Sequence, residues 1–330
     1  MVCDSRGQIS LQFNWIFILI IGAVILAFFL TVINNQEKRA DAEEATELVK
    51  TVDNVFTAIS SNPDTVETFR LSDADIRFDC EPGLSQYYIQ GAGPVDTKHQ
   101  ALFVPATVEG KEVTMWTQTW HAPFPVMVIT HLASDRVTFL FVNDTDTSIE
   151  EKLYEEMPDE FDKHLLTEAQ LEGVSEAGYD RYVIITTDDD LDVPTGIEDK
   201  AHVRVITSGN GQYPTGEVTF KHDGTEEDGD YVTEPMLWGA IFTEDADTYD
   251  CTVAKARTRQ RMLATIIKGR LDRLEEELED TNCWTYLGSA NDPLKKLAGG
   301  DPLKDMADAM RSVESTNELI KRGPRCPLIY

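Results

Sequence analysis

Polar and apolar positions change their period several times along this chain, and each change marks a different kind of element. From Trp15 to Ile33 the positions are apolar except for Gly22 and Thr31, and no charged residue lies between Arg6 and Glu37. At about 1.5 Å per residue this run matches a hydrocarbon core of ~30 Å, and it is longer than the roughly 7–15-residue apolar core of a cleaved secretory signal. It predicts a membrane-spanning helix. Beyond it Ala45, Leu48, Val49, Val52, Val55, Phe56 and Ile59 recur at three- and four-residue steps, with no proline or glycine before Pro63. That spacing is one face of an amphipathic stalk that continues the same helix, a rod of about 50 residues and roughly 75 Å.

After Pro63 the period shortens to that of strands: "IRFDC", "YYIQ", "ALFVPATV", "EVTMWTQTW", "VMVITHL" and "RVTFLFV", with "ASDR" as a hairpin connection between the last two. "SIEEKLYEEM" reads as a helix with Ser148 and Glu151 in a capping box, and "TEAQLEGVSEAG" as another. "RYVIITT" is a near-continuous apolar strand of the kind buried on both faces. "HVRVIT", "GEVTF" and "LWGAIF" read as further strands, with "SGNGQYPTG" a turn between strands. Strand–helix–strand order implies at least one parallel crossover. The expected fold class is mixed α/β (α+β). Its domains are 1–36 (short tail and transmembrane helix), 37–62 (stalk), 63–250 (strand-rich to 147, α/β from 148) and 251–330.

The last segment predicts a helical hairpin. Leu263, Ile267, Leu271, Leu274 and Leu278 form a stripe, while Lys255, Arg257, Arg259, Arg261, Lys268, Arg270 and Arg273 crowd the first two-thirds of that helix and acids fill its end. The helix dipole prefers the opposite arrangement, so an acidic partner surface, on this chain or a neighbouring subunit, would compensate; scattered ion pairs on a solvated face are the alternative. A second helix from about Pro302 to Lys321 folds back antiparallel on this reading. Cys80, Cys251, Cys283 and Cys326 form an even set that suits two disulfides in an oxidising compartment. Three pairings are possible. Cys251 and Cys283 bracket a helix of about 40 Å, too long for the ~7 Å Cα separation of a bridge. The fold-back predicts Cys251–Cys326 and Cys80–Cys283.

Charge and cysteine usage bear on orientation. Arg6 precedes the span, and Lys38, Arg39 and Lys50 follow it, a count that by itself places the large domain inside. The cysteines place it outside, and the short N-terminal tail then stays in the cytoplasm. Acids outnumber bases 59 to 29, for a net charge of −30. No nucleic-acid partner is expected of such a surface. Self-repulsion on this scale is tolerable where salt shortens the Debye length, so a halophilic habitat is the economical explanation.

The N-terminus carries a family likeness. Arg6-Gly7-Gln8-Ile9-Ser10-Leu11-Gln12-Phe13 followed by an apolar helix resembles the class III signal peptide of archaeal type IV pilins and pilin-like proteins. The resemblance covers about residues 5–33. It implies recognition of Arg6 and Gly7, a cytoplasmic cut between Gly7 and Gln8, and Gln8 as the mature first residue. It further implies a helix that can bundle with copies of itself or with other pilin-like or envelope proteins through residues 13–61, beside the lipid bilayer. Many pilins carry glutamate near the fifth mature position, where this chain has Gln12.

Catalytic motifs are sparse. No H-E-x-x-H, G-x-S-x-G, C-x-x-C or G-x-x-x-x-G-K-[ST] occurs, and neither a metal site nor a cofactor is expected. The acidic runs "DDDLD" (188–192), "HDGTEEDGD" (222–230) and "NDTDTSIEE" (143–151) lack EF-hand spacing and read as solvated loops. Asn143 heads the one N-x-[ST] glycosylation sequon. Trp116, Trp120 and Phe124 read as core, with an aromatic recognition patch as the alternative. Two functions remain open: a single-pass surface protein acting in adhesion, assembly or recognition, and a membrane-tethered extracellular hydrolase using carboxylates such as Asp188 to Asp190 at the end of the 181–187 strand.

Overall fold

The apolar run and the amphipathic face after it form one unbroken helix, α1 (Gly7–Ser60), 54 residues long and so about 80 Å. The computed structural model describes residues 7–60, 62–71, 75–81, 84–89, 92–97, 100–143, 149–175, 178–208, 214–279, 281–300, 302–322 and 326–330. Among them the fold is mixed α+β, with three sheets and eight α-helices. Arg6, Ser148 and the centre of the 208–216 turn lie outside the described residues.

The strand-rich half contains β1 (Val66–Arg70), β2 (Ile76–Glu81), β3 (Leu84–Ile89), β4 (Val95–Asp96), β5 (Ala101–Phe103), β6 (Thr107–Val108), β7 (Glu112–His121) and β8 (Pro125–Ser134). They make two four-stranded sheets, ordered β1-β7-β8-β5 and β4-β3-β2-β6. The segment "WTQTWHAPFPV" covers the end of β7, the turn of the long β7–β8 hairpin and the start of β8, and Trp116, Trp120 and Phe124 are buried. They are core, not a recognition patch. The far half of α1 closes this region: Leu48, Val52 and Phe56 are buried in one apolar cluster with Tyr87, Ile89, Leu102, Val113 and Leu132. The stalk is therefore part of the globular body from about Ala45 onward.

The third sheet runs through β9 (Val137–Val142), α2 (Ile149–Glu156), β10 (Lys163–Leu166), α3 (Glu168–Leu171), β11 (Arg181–Thr186), β12 (Ala201–Ser208), β13 (Thr215–His222) and β14 (Thr225–Val232), ordered β10-β9-β11-β12-β13-β14. β9 is parallel to β10 and β11, and β11 to β12, so the strand–helix–strand order does produce parallel crossovers. Every residue of β9 and of β11 is buried, as the continuous apolar runs require.

Three expectations fail here, each for a physical reason. "ASDR" does not close a hairpin, because β8 and β9 belong to different sheets and the chain passes between them at Asp135-Arg136. "HDGTEEDGD" is not a loop: Asp223 (φ 47°) and Gly224 (φ 72°) form the two-residue turn of the β13–β14 hairpin, and the acids follow on edge strand β14, where charge discourages further pairing. "LWGAIF" is not a strand. It lies in helix α4 (Glu234–Phe242), whose residues from Met236 onward are all buried. An element buried on every side shows no periodicity, so a short apolar run fits either structure.

The C-terminal layer contains α5 (Ala246–Glu277), α6 (Cys283–Ser289), α7 (Asn291–Gly299) and α8 (Leu303–Arg322). Asn291 donates to Asp272 and Glu275, while Arg261 lies against Gly300, so α7 runs back along α5. α8 starts beside Val253 and Ala254 and ends near α6, parallel to α5. The predicted two-helix hairpin thus has a third member between its arms. That extra reversal also corrects the disulfides: Cys283 bonds Cys326 at the far end of α5, and Cys80 bonds Cys251. All four predicted cysteines are bridged, but in neither predicted pairing.

Candidate functional site

α1 changes environment along its length. Trp15 and all the large apolar side chains described from Ile18 to Ile33 except the half-buried Val32 are exposed, at 43% to 69%, whereas Ala45, Leu48, Val52 and Phe56 are buried. Gly7 begins the helix, Gln8 follows it, and Arg6 lies outside the described residues. Among the described residues no helix is long and apolar enough to cross a membrane. The side chains described without interruption there, residues 18–34, account for about 25 Å of axis; in sequence the run continues back through Phe17 and Ile16 to Trp15.

The carboxylates after β11 are tied into local structure. Asp189 accepts from Lys221 Nζ at 2.7 Å, and its carbonyl accepts from the same nitrogen at 2.9 Å. The Asp188 side chain accepts from the Asp190 backbone N–H at 3.0 Å, closing its own turn. They border a cleft of about 250 Å³ with Glu198, Lys221 and His222. His222 stacks on His202 at 3.8 Å, and its Nδ1 is 2.9 Å from the Ala201 carbonyl. Asp188 thus closes a local turn, and Asp189 is ion-paired with Lys221 at the edge of this cleft.

Carboxyls held above their ordinary range lie elsewhere. Burial, followed by the adjacent Glu234 carboxylate, pushes Glu156 up to about 7, against the opposing pull of Lys152. Lys152 reaches Glu156 at 3.3 Å and Glu234 at 3.5 Å, so α2 and the start of α4 are joined by a three-group cluster. Asp250 is raised by burial, then by Asp230 and Asp247. It faces a cleft of about 610 Å³ with Glu217, Asp228 and Arg257. Among the described residues no group of His, Cys, Asp and Glu has the arrangement of a metal site.

Two buried arginines were not foreseen. Arg204 donates to the carbonyls of Ala240 (3.0 Å), Thr243 (2.7 Å) and Glu244 (2.9 Å), and Arg181 adds a bond to Thr243 at 2.8 Å. They satisfy the carbonyls at the C-terminus of α4, where the helix dipole favours cations. The sequence signal is an arginine between the two valines of "HVRVIT", a residue that cannot be buried unpaired. Burial likewise pulls His131 down to about 3, where it stays neutral in an aromatic nest of Phe103, Trp116 and Phe242. Asn143 is half-buried and donates its backbone N–H to Leu166, while Asp144 and Thr145 of the sequon lie outside the described residues.

No protein-family model, curated protein or solved structure matches this chain.

Proposed function

We propose that this chain is a single-pass, membrane-anchored surface protein, processed and anchored in the manner of a pilin-like envelope component, with its disulfide-closed domain outside the cell. The observation that carries this reading is the change along α1 from exposed to packed. Twelve large apolar side chains between Trp15 and Ile33 are exposed, and leaving them in water costs on the order of 20 kcal/mol. A lipid bilayer removes that cost. Two disulfides suit an oxidising exterior, and Arg6-Gly7-Gln8 supplies the cleavage sequence. Lateral packing between copies, or with other envelope proteins, falls to residues 13–33, because Ala45 to Phe56 are already covered by the chain's own sheets. Adhesion, assembly or surface recognition is the role such a protein would serve.

The test is the intact mass and N-terminal sequence of the protein taken from its native membrane. A carbonate-resistant membrane protein beginning at Gln8 is the expected result. A chain retaining Arg6 and Gly7 overturns the processing, and recovery in the soluble fraction overturns the anchor.

A further inference from the structure

α5 presents a second unpartnered face. No acid occurs between Asp250 and Asp272, in a chain where acids outnumber bases two to one. Along the outside of α5 Arg259, Met262, Ile266, Gly269, Arg273 and Glu276 follow one another at alternating three- and four-residue steps, all exposed, Met262 at 60% and Ile266 at 63%. That is the seam spacing of a two-helix contact. The opposite stripe, from Leu263 to Leu278, is taken up by the main core, in which α7 packs on α5. Nothing lies within 4 Å of where a Cβ on Gly269 would be.

We propose that this face docks on the same face of a second copy of the chain, antiparallel, about a two-fold axis between Ile266 and Gly269. The order of charges selects this occupant and this direction. In the antiparallel register Ile266 of each copy lies over Gly269 of the other, a bulky side chain over an open backbone. The Met262 side chain meets the apolar stem of Arg273, and Arg259 meets Glu276. A parallel pairing would instead stack Arg259 on Arg259 and Arg273 on Arg273. Arg259 keeps one N–H on the Val126 carbonyl at 2.9 Å, which steadies its stem and leaves the outer nitrogens for the partner. A seam with a basic end at Arg259 and an acidic end at Glu276 is self-complementary under a two-fold, and in such an interface every contact occurs twice. This gives the inverted charge order of α5 a role that the helix dipole does not.

The experiment is sedimentation of the full chain in density-matched detergent across a concentration series. Wild type is expected to form a dimer. Gly269→Lys fills the central gap with a charged side chain. It is expected to leave a monomer whose unfolding midpoint is unchanged or raised, since lysine is the better helix former. Arg259→Glu brings like charges together at both ends and should weaken association roughly tenfold or more, and the pair Arg259→Glu with Glu276→Arg should restore it. A wild-type chain that stays monomeric overturns the proposal. So does a dimer that Gly269→Lys leaves intact, because its contact would then lie elsewhere, α1 included. Binding of the monomer to anionic vesicles that is lost in Ile266→Asp would assign the face to lipid and also overturn it.

Discussion

Arg204 shows how one side chain can hold a buried helix in place. Its guanidinium lies on the Phe220 ring, 4.4 Å from the centroid, and donates to carbonyls at the end of α4. Removing it leaves those carbonyls desolvated and unpaired, so Arg204→Met is expected to cost about 3–5 kcal/mol in a urea titration. Arg204→Lys should recover little, because a single ammonium cannot reproduce the planar fork. Glu156 gives a prediction in pH. Its folded carboxyl keeps a proton up to about 7, against an ordinary value of 4.5. The stabilisation is therefore fully present below about pH 4.5 and is lost as pH rises through about 7. Thermal scans between pH 5 and 7.5 should show the midpoint falling with pH, and a flatter profile in Glu156→Gln. The slope is shallow, since the side chain is 34% exposed and screened. None of these side chains was legible as a site in the sequence: Arg204, Arg181 and Glu156 acquire their roles only when α4 comes between them, and α4 was itself misread.

Elements with a strong period were legible, and of the short apolar runs without one β11 was read correctly and α4 was not. The stripe from Ala45 to Phe56 predicted a buried helical face, and the structure places it against β3 and β8. Phe56→Ala is expected to destabilise the body by about 3–5 kcal/mol, whereas Leu26→Ala, in the exposed stretch of the same helix, should leave a denaturation curve of the body unchanged. Strand-like runs likewise foretold β2, β7, β8, β9 and β11 nearly in place, β11 as a continuous apolar run and not by alternation. α4 and α7 were missed for different reasons. α4 is buried all round, and α7 is a short helix closed by Gly300 at φ 87°, a C-terminal signal that reads equally as a loop. The Asp-Gly turn before β14 was visible but was outweighed by the acids around it. Gly239 marks how tightly α4 fits: a Cβ there would come within 2.7 Å of the Phe103 ring. Gly239→Ala should cost about 1–3 kcal/mol by strain, read as a lower urea midpoint at constant slope.

Across the whole molecule two disulfides cross-link separate parts of the fold. Cys80–Cys251 spans 171 residues and ties β2 to the start of α5, while Cys283–Cys326 spans 43. Loop entropy alone assigns about 5 and about 4 kcal/mol to them. Replacing the first pair by serine is therefore expected to lower stability slightly more than replacing the second, measured by denaturant titration of each double variant. The net charge of −30 acts over the same scale. Raising KCl from 0.1 to 2 M should raise the thermal midpoint as self-repulsion is screened, and a flat response would separate the acidic surface from any dependence on salt.

α1 carries the exposed segment and the packed segment on one axis, with no glycine or proline between Ile33 and Ala45 to act as a swivel. The number of residues in that link therefore fixes a compass bearing as well as a height. One inserted residue would swing the whole globular body about 100° around the axis while raising it only about 1.5 Å, and seven would return it to within about 20° of its original heading. The direction in which the seam of α5 points is thus counted out, residue by residue, along α1.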